Sequence, residues 1–190
     1  MMEHMSDPSP SLSTDFFARD VEIVARELIG ATLLFDGVGG VIVETEAYDS
    51  NDPASHCFRG RTARNASMFG PPGHAYVYRS HGLHWCLNVV CLVASGVLIR
   101  ALEPTAGIDR MEERRGTTDL RRLCAGPGRL CQALGIDRRH DGRLLDQPPF
   151  AIQPRAGPVA ISAGPRIGLS RGVETPWRFC LDGSAFLSRP

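Results

Sequence analysis

The chain has 190 residues, 43% of them hydrophobic, and its 21 basic residues balance 21 acidic ones. That length and composition suit one domain with a core of its own, and no apolar run nears the ~18 residues of a membrane-crossing helix. Every basic side chain is arginine, which removes lysine Schiff-base chemistry from the repertoire.

Met1–Ser13 is Ser/Pro-rich without an apolar core, and reads as a flexible tail rather than a signal peptide. A single domain is expected over 14–190. Residues 20–29 form a helix by pattern: Asp20 is its N-cap, Val21, Val24, Ala25, Leu28 and Ile29 form one apolar face, and Gly30 closes it. Ala31–Phe35 is a short strand, Asp36 to Gly40 a turn, and Val41–Tyr48 the second strand of a hairpin. Period-two alternation puts Glu44 and Glu46 on one face, and two ionised carboxylates there call for solvent or a cleft. A long loop follows over 49–72, with a helical turn near Ala63–Met68. Gly73–Arg79 and Leu83–Val90 are strands joined at Ser80-His81-Gly82. Gly96–Leu102 is a further strand, ended by Glu103-Pro104. Residues 106–115 and 119–134 are helical, the second stretch broken at Gly126-Pro127-Gly128. Pro158–Ala163 and Trp177–Leu181 return to strand. The expected fold is α+β: one domain with a mainly antiparallel curved sheet, peripheral helices and a protruding β-hairpin.

Cysteines at 57, 86, 91, 124, 131 and 180 include no CxxC pair, so free cytosolic thiols are expected. Cys124 and Cys131 lack the further close cysteines an iron–sulfur cluster needs.

Charge is distributed unevenly. Residues 53–102 hold Arg59, Arg61, Arg64, Arg79 and Arg100, and histidines 56, 74, 81 and 84, without one Asp or Glu. Aromatics (Phe58, Phe69, Tyr76, Tyr78, Trp85) are interleaved with them. A wholly basic stretch in a neutral chain suits a polyanion, although Arg-rich loops are also ordinary solvated surface.

Glu46, at a strand end before a His-containing loop, is a candidate general base; alone, it would equally be a salt-bridged surface residue. Tyr48, His56 and Tyr78 could build a π-rich slot for a flat heterocycle, while Tyr76, Tyr78 and Trp85 could instead be core residues of a strand. Glu44, Glu46, Asp49 and His56 match no metal-ligand spacing. The Ser80–His84 tip is either a wedge between bases or a routine turn. Leu123–Leu130 is similar to a helix–hairpin–helix phosphate clamp, but a proline-initiated helix junction explains it as well.

Several motifs in order carry a resemblance: Val43-Glu44-Thr45-Glu46-Ala47-Tyr48, Arg64-Asn65-x-x-Met68-Phe69, Tyr76-Val77-Tyr78, Cys86-x-Asn88, Leu98-Ile99-Arg100-Ala101-Leu102-Glu103-Pro104 and Leu130-Cys131-Gln132-Ala133-Leu134. From about residue 16 to 189 the chain resembles the alkyladenine (3-methyladenine) DNA glycosylase family. The resemblance implies a monofunctional glycosylase that flips alkylated or deaminated purines out of double-stranded DNA. It implies a monomer of the bacterial cytoplasm, with no membrane attachment, cofactor or metal. By position, Glu46 resembles the base that activates water, with Arg100 and the Ile167 carbonyl as the water's other anchors. Tyr48, His56 and Tyr78 match the base pocket, and Asn88 the residue opposing guanine's 2-amino group. His81 falls where the family usually has a tyrosine wedge, with Leu83 beside it; Arg59, Arg61 and Arg64 are expected at the DNA backbone. A metal-dependent nuclease and a non-catalytic nucleic-acid-binding module are the other classes these residues could serve.

Overall fold

A computed structural model describes residues 10–189. Of the expected tail, residues 1–9 lie outside the described residues; Ser11 and Leu12 are tied down, the Leu12 N–H donating to the Ile152 carbonyl at 2.7 Å. A one-turn helix α1 (Thr14–Phe17) precedes α2 (Val21–Leu28). Asp20 caps α2 by accepting from the Glu22 and Ile23 amides at 2.9 and 3.4 Å, satisfying donors that have no intrahelical partner. Val21, Val24, Ala25 and Leu28 recur at helical spacing and are buried. Truncating Leu28 to Ala would cost about 2–5 kcal/mol.

Strands β1 (Thr32–Phe35) and β2 (Val38–Tyr48) form the expected hairpin. Its turn is only Asp36-Gly37, both at positive φ (50° and 73°), as a two-residue hairpin turn requires. Gly39 and Gly40, expected in the turn, belong to β2. A side chain at Gly39 would collide with the Leu33 carbonyl, and one at Gly40 with the Glu103 carbonyl. They are glycines because neighbouring backbones press on them, not because the chain reverses there.

The hairpin β3 (Ala75–Ser80) and β4 (His84–Val90) leads to β5 (Gly96–Ala106). β5 runs past Pro104, which pairs with Gly40 beside a register shift that absorbs the missing donor. Helices α3 (Ile108–Arg115), α4 (Leu120–Leu123) and α5 (Pro127–Leu134) follow. Pro127 opens α5 at its first turn, the junction reading of that segment. Then come β6 (Phe150–Gln153), β7 (Ile161–Gly164) and β8 (Arg178–Leu181). Sequence reading missed β6, which is short and flanked by prolines 148, 149 and 154.

The strands form one antiparallel sheet in the order β3-β4-β5-β2-β1-β6, with β8 on β2 and β7 on β8. β2 is its axis. It pairs with β5 along one side, and with β1 and then β8 along the other. β4 reaches β5 only through Asn88–Val90, so residues 84–87 and their β3 partners stand out as a two-stranded ribbon. The main core lies under the central strands and α2, α3 and α5. A second cluster, Cys57, Met68, Tyr76, Val90 and Ala94, lies under the 49–72 loop. Among the described residues no helix is long and apolar enough to cross a membrane.

Candidate active site

Of the expected solvent or cleft, Glu46 has only the second, through Tyr48, Arg100 and Ile167, which line a cavity; both carboxylates are themselves 0% exposed. They are covered by residues 166–167 and by the segment after β8, and they are sustained by pairing instead of hydration. Glu46 accepts from the Ile167 N–H at 2.7 Å on one oxygen. Its other oxygen accepts from the Tyr48 hydroxyl at 2.7 Å and Arg100 Nη1 at 3.4 Å. Glu44 accepts from Arg100 Nε at 3.1 Å, Arg178 Nε at 2.8 Å, and the Ser188 N–H and hydroxyl at 2.6 and 2.8 Å. Two carboxylates and two guanidiniums thus make a buried set of zero net charge. Burial alone would raise the Glu44 pKa, but the Ser188 amide, Arg178 and Arg100 outweigh it and hold the group below its usual value. Tyr48 is pushed up by burial and by the adjacent Glu46 charge, so it remains a phenol that donates.

Above this set opens a cavity of about 1050 Å³, lined by Tyr48, His56, Tyr76, Tyr78, Asn88, Leu98, Arg100 and Ile167 among others. The rings interlock: His56 and Tyr78 are edge-on at 4.4 Å between centroids, and Tyr76 and Tyr78 are stacked at 5.4 Å. His56 Nδ1 is hydrogen-bonded to the Tyr76 hydroxyl at 3.1 Å. His56 is open on its cavity side, yet the surrounding protein lowers its pKa by desolvation. The structure therefore unites both readings of Tyr76: it is buried in the small cluster and also forms cavity wall. Asn88 is buried, and its amide donates to the Tyr76 carbonyl at 3.2 Å.

Arg59, Arg64 and His81 also line the cavity, whereas Arg61 and Leu83 are exposed outside its lining. Leu83 is 71% exposed at the ribbon tip. His81 and Gly82 both have positive φ there, 50° and 68°. Ile167 joins the site through its N–H on Glu46; its expected contribution was the carbonyl.

Sequence reading missed the supports. Asn65 ties the long loop together, donating to the His56 and Gly60 carbonyls at 2.8 and 3.1 Å and accepting from the Thr62 amide at 2.6 Å. Arg166 is ion-paired with Asp52, donates to the Ala47 and Gly172 carbonyls at 2.9 Å each, and lies 4.7 Å from the Tyr48 ring centroid. Arg178 and Ser188, on Glu44, are likewise far from it in sequence. Among the described residues no group of three or more His, Cys, Asp or Glu side chains could hold a metal ion.

A model of the family Methylpurine-DNA glycosylase (MPG) matches residues 15–185. The chain belongs to this family. A relative from Nitrosospira multiformis, named "Putative 3-methyladenine DNA glycosylase", is 60% identical over 189 residues, covering 98% of this chain and 96% of its own. Relatives of the same name from Rhodopseudomonas palustris (strain HaA2) and Agrobacterium fabrum are 59% and 56% identical, covering 100% and 95% of this chain and 98% and 94% of theirs. As a methylpurine-DNA glycosylase the chain is a hydrolase of base excision repair, with DNA as substrate. Its buried carboxylates, aromatic cavity and arginine rim are thereby features of a DNA glycosylase.

Proposed function

We propose that the protein flips alkylated or deaminated purines from duplex DNA into the aromatic cavity, where a Glu46-activated water cleaves the N-glycosidic bond and leaves an abasic site. The observation that carries this reading is Glu46, fully buried and held by three donors, all of which belong to residues that line the cavity. A carboxylate has about four acceptor sites. Three are taken by Ile167, Tyr48 and Arg100, so one remains for a water.

A purine alkylated at N3 or N7 is cationic, and its glycosidic bond is already weakened. The Tyr48, Tyr76 and Tyr78 rings favour such a ring over a neutral one by about 0.5–2 kcal/mol. Extrusion costs a few kcal/mol, least where pairing is damaged. The water oxygen then bonds to C1′, its proton passes to Glu46, and the glycosidic electron pair leaves with the base. The Glu46 charge also stabilises the oxocarbenium-like sugar. Neutral lesions such as hypoxanthine need a proton on the leaving group. His56, the candidate acid, is kept neutral by its depressed pKa and is poorly suited to supply one. Asn88 faces the base edge and opposes guanine; Arg59, Arg61 and Arg64 contact phosphates; His81 or Leu83 fills the gap in the duplex. The chain works as a monomer without cofactor or metal.

The test is incubation with duplex DNA carrying one alkylated purine or hypoxanthine, in EDTA, with assay for free base. Free base and an alkali-labile strand are expected. Absence of base release, or strand cleavage that needs a divalent metal, would overturn the reading.

A further inference from the structure

The segment that follows β8 closes over the side of β2 that carries the two glutamates. Phe186, Leu187 and Ser188 are each half-buried. Among the described residues of this segment, Ser188 reaches the charged set with both its amide and its side chain. Its N–H donates to Glu44 at 2.6 Å and its hydroxyl donates to the other Glu44 oxygen at 2.8 Å. The same hydroxyl lies 3.4 Å from Arg100 Nη2 as acceptor. Arg178 Nη2 donates to the Arg189 carbonyl at 2.8 Å, fixing the backbone next to it. Arg100 is thereby held at three points: Nε on Glu44, Nη2 on Ser188 and Nη1 on Glu46.

A guanidinium is a rigid plane, so fixing two of its nitrogens fixes the third. We propose that Ser188 is a positioning residue for base excision: it locks Glu44 and Arg100 so that Arg100 Nη1 is presented to Glu46 and to the reacting water. This rests on the roles proposed for Glu46 and Arg100. Ser188 is not among the residues that line the cavity. Its effect belongs to the chemical step and not to lesion binding, because a misplacement of about 1 Å at a reacting group can slow a reaction on the order of 100-fold.

Three variants test it: Ser188→Ala, which keeps the amide but loses both hydroxyl contacts; Ser188→Thr, which keeps the hydroxyl; and a chain shortened to end at Leu187, which loses all of them. Each is compared with the unaltered chain in single-turnover base release at saturating enzyme, in affinity for lesion DNA, and in melting temperature. Loss of hydrogen bonds to a charged group should slow Ser188→Ala by about 3- to 10-fold and the shortened chain by about 30-fold or more. Lesion-DNA affinity should stay within about twofold, and Ser188→Thr should recover most of the rate, because it retains the charge-assisted bonds. Equal rates for Ser188→Ala and the unaltered chain overturn the proposal. So do equal losses in the Ala and Thr variants, or a loss confined to affinity. If the unaltered chain itself releases no base, the proposed function has failed; if it does and the shortened chain matches it, only the role of Ser188 has.

Discussion

Replacing Glu46 by Gln keeps the shape of the side chain and removes its charge, and the structure dictates how the amide must lie. Turned towards Ile167, the new NH₂ would meet that residue's N–H, now 2.7 Å from the carboxylate, donor against donor. Turned the other way it meets the Tyr48 hydroxyl, which can rotate to accept, and Arg100 at the longer distance of 3.4 Å. The second orientation wins, so Tyr48 should change from donor to acceptor. Arg100 keeps Glu44, yet the buried set moves from zero net charge to +1. Losing a charge-assisted bond and leaving that charge should destabilise the fold by about 2–4 kcal/mol. For a domain of this size that is a fall of about 4–16 °C in melting temperature. The rate should fall further than folding explains, by about 10²–10⁴-fold, the usual contribution of a general base. Single-turnover release at a temperature where the variant is fully folded measures the rate, and a gel-shift titration on the same lesion duplex measures binding, which should survive. Near-normal release by the folded variant would refute the assignment of Glu46 and the reasoning built on its burial.

Asn88→Ala should relax discrimination against guanine, seen as a rise in excision of normal guanine relative to adenine; no rise removes Asn88 from the specificity filter. Binding to undamaged duplex should weaken with a log–log salt slope of roughly −3 to −5, from about three to five phosphate contacts, and a flat response would sink the polyanion reading. His81→Tyr should slow dissociation from lesion DNA and His81→Ala should weaken lesion binding more than undamaged binding; equal affinities would leave Leu83 as the wedge. Because the Glu44 pKa is depressed in the fold, its stabilisation is complete above the ordinary carboxylate value of about 4.3 and is lost as pH falls through the lower folded value. The melting-temperature gap between the native chain and Glu44→Gln should therefore be constant near neutrality and narrow below about pH 4; a gap that widens on acidification would contradict this.

The elements that could be read from sequence were those with a local cause. Helix α2 has a cap, a period and a glycine stop; the β1–β2 hairpin has Asp36-Gly37; the β3–β4 ribbon has alternation and His81-Gly82. Readings failed where a distant backbone decided the outcome. Gly39-Gly40 was taken for a turn because its crowding comes from Leu33 and Glu103, and β6 was missed because its only strong partner is β1. The family's motifs held the residues that face the cavity. The residues behind them, Arg166 on Asp52 and both Arg178 and Ser188 on Glu44, are 114, 134 and 144 positions from their partners and reach them only in the folded chain. The burial of Glu44 and Glu46 was missed for the same reason, since the two guanidiniums that make it tolerable arrive from β5 and β8.

The ribbon of β3 and β4 sits at one margin of the sheet, while Glu46 sits on its axis. Beyond Asn88 the ribbon has no strand beside β4, and the outer side of β3 is met only near Ala75 and Val77, by residues 141–143. The ribbon is thus held by α5 against β4 and not by neighbouring strands, whereas β2 is braced by strands on both sides. On the roles proposed above, changes at Tyr76, Tyr78, His81 or Asn88 would alter which lesions are admitted without disturbing the strand pairing of β2 with β5 that places Glu46 beside Arg100.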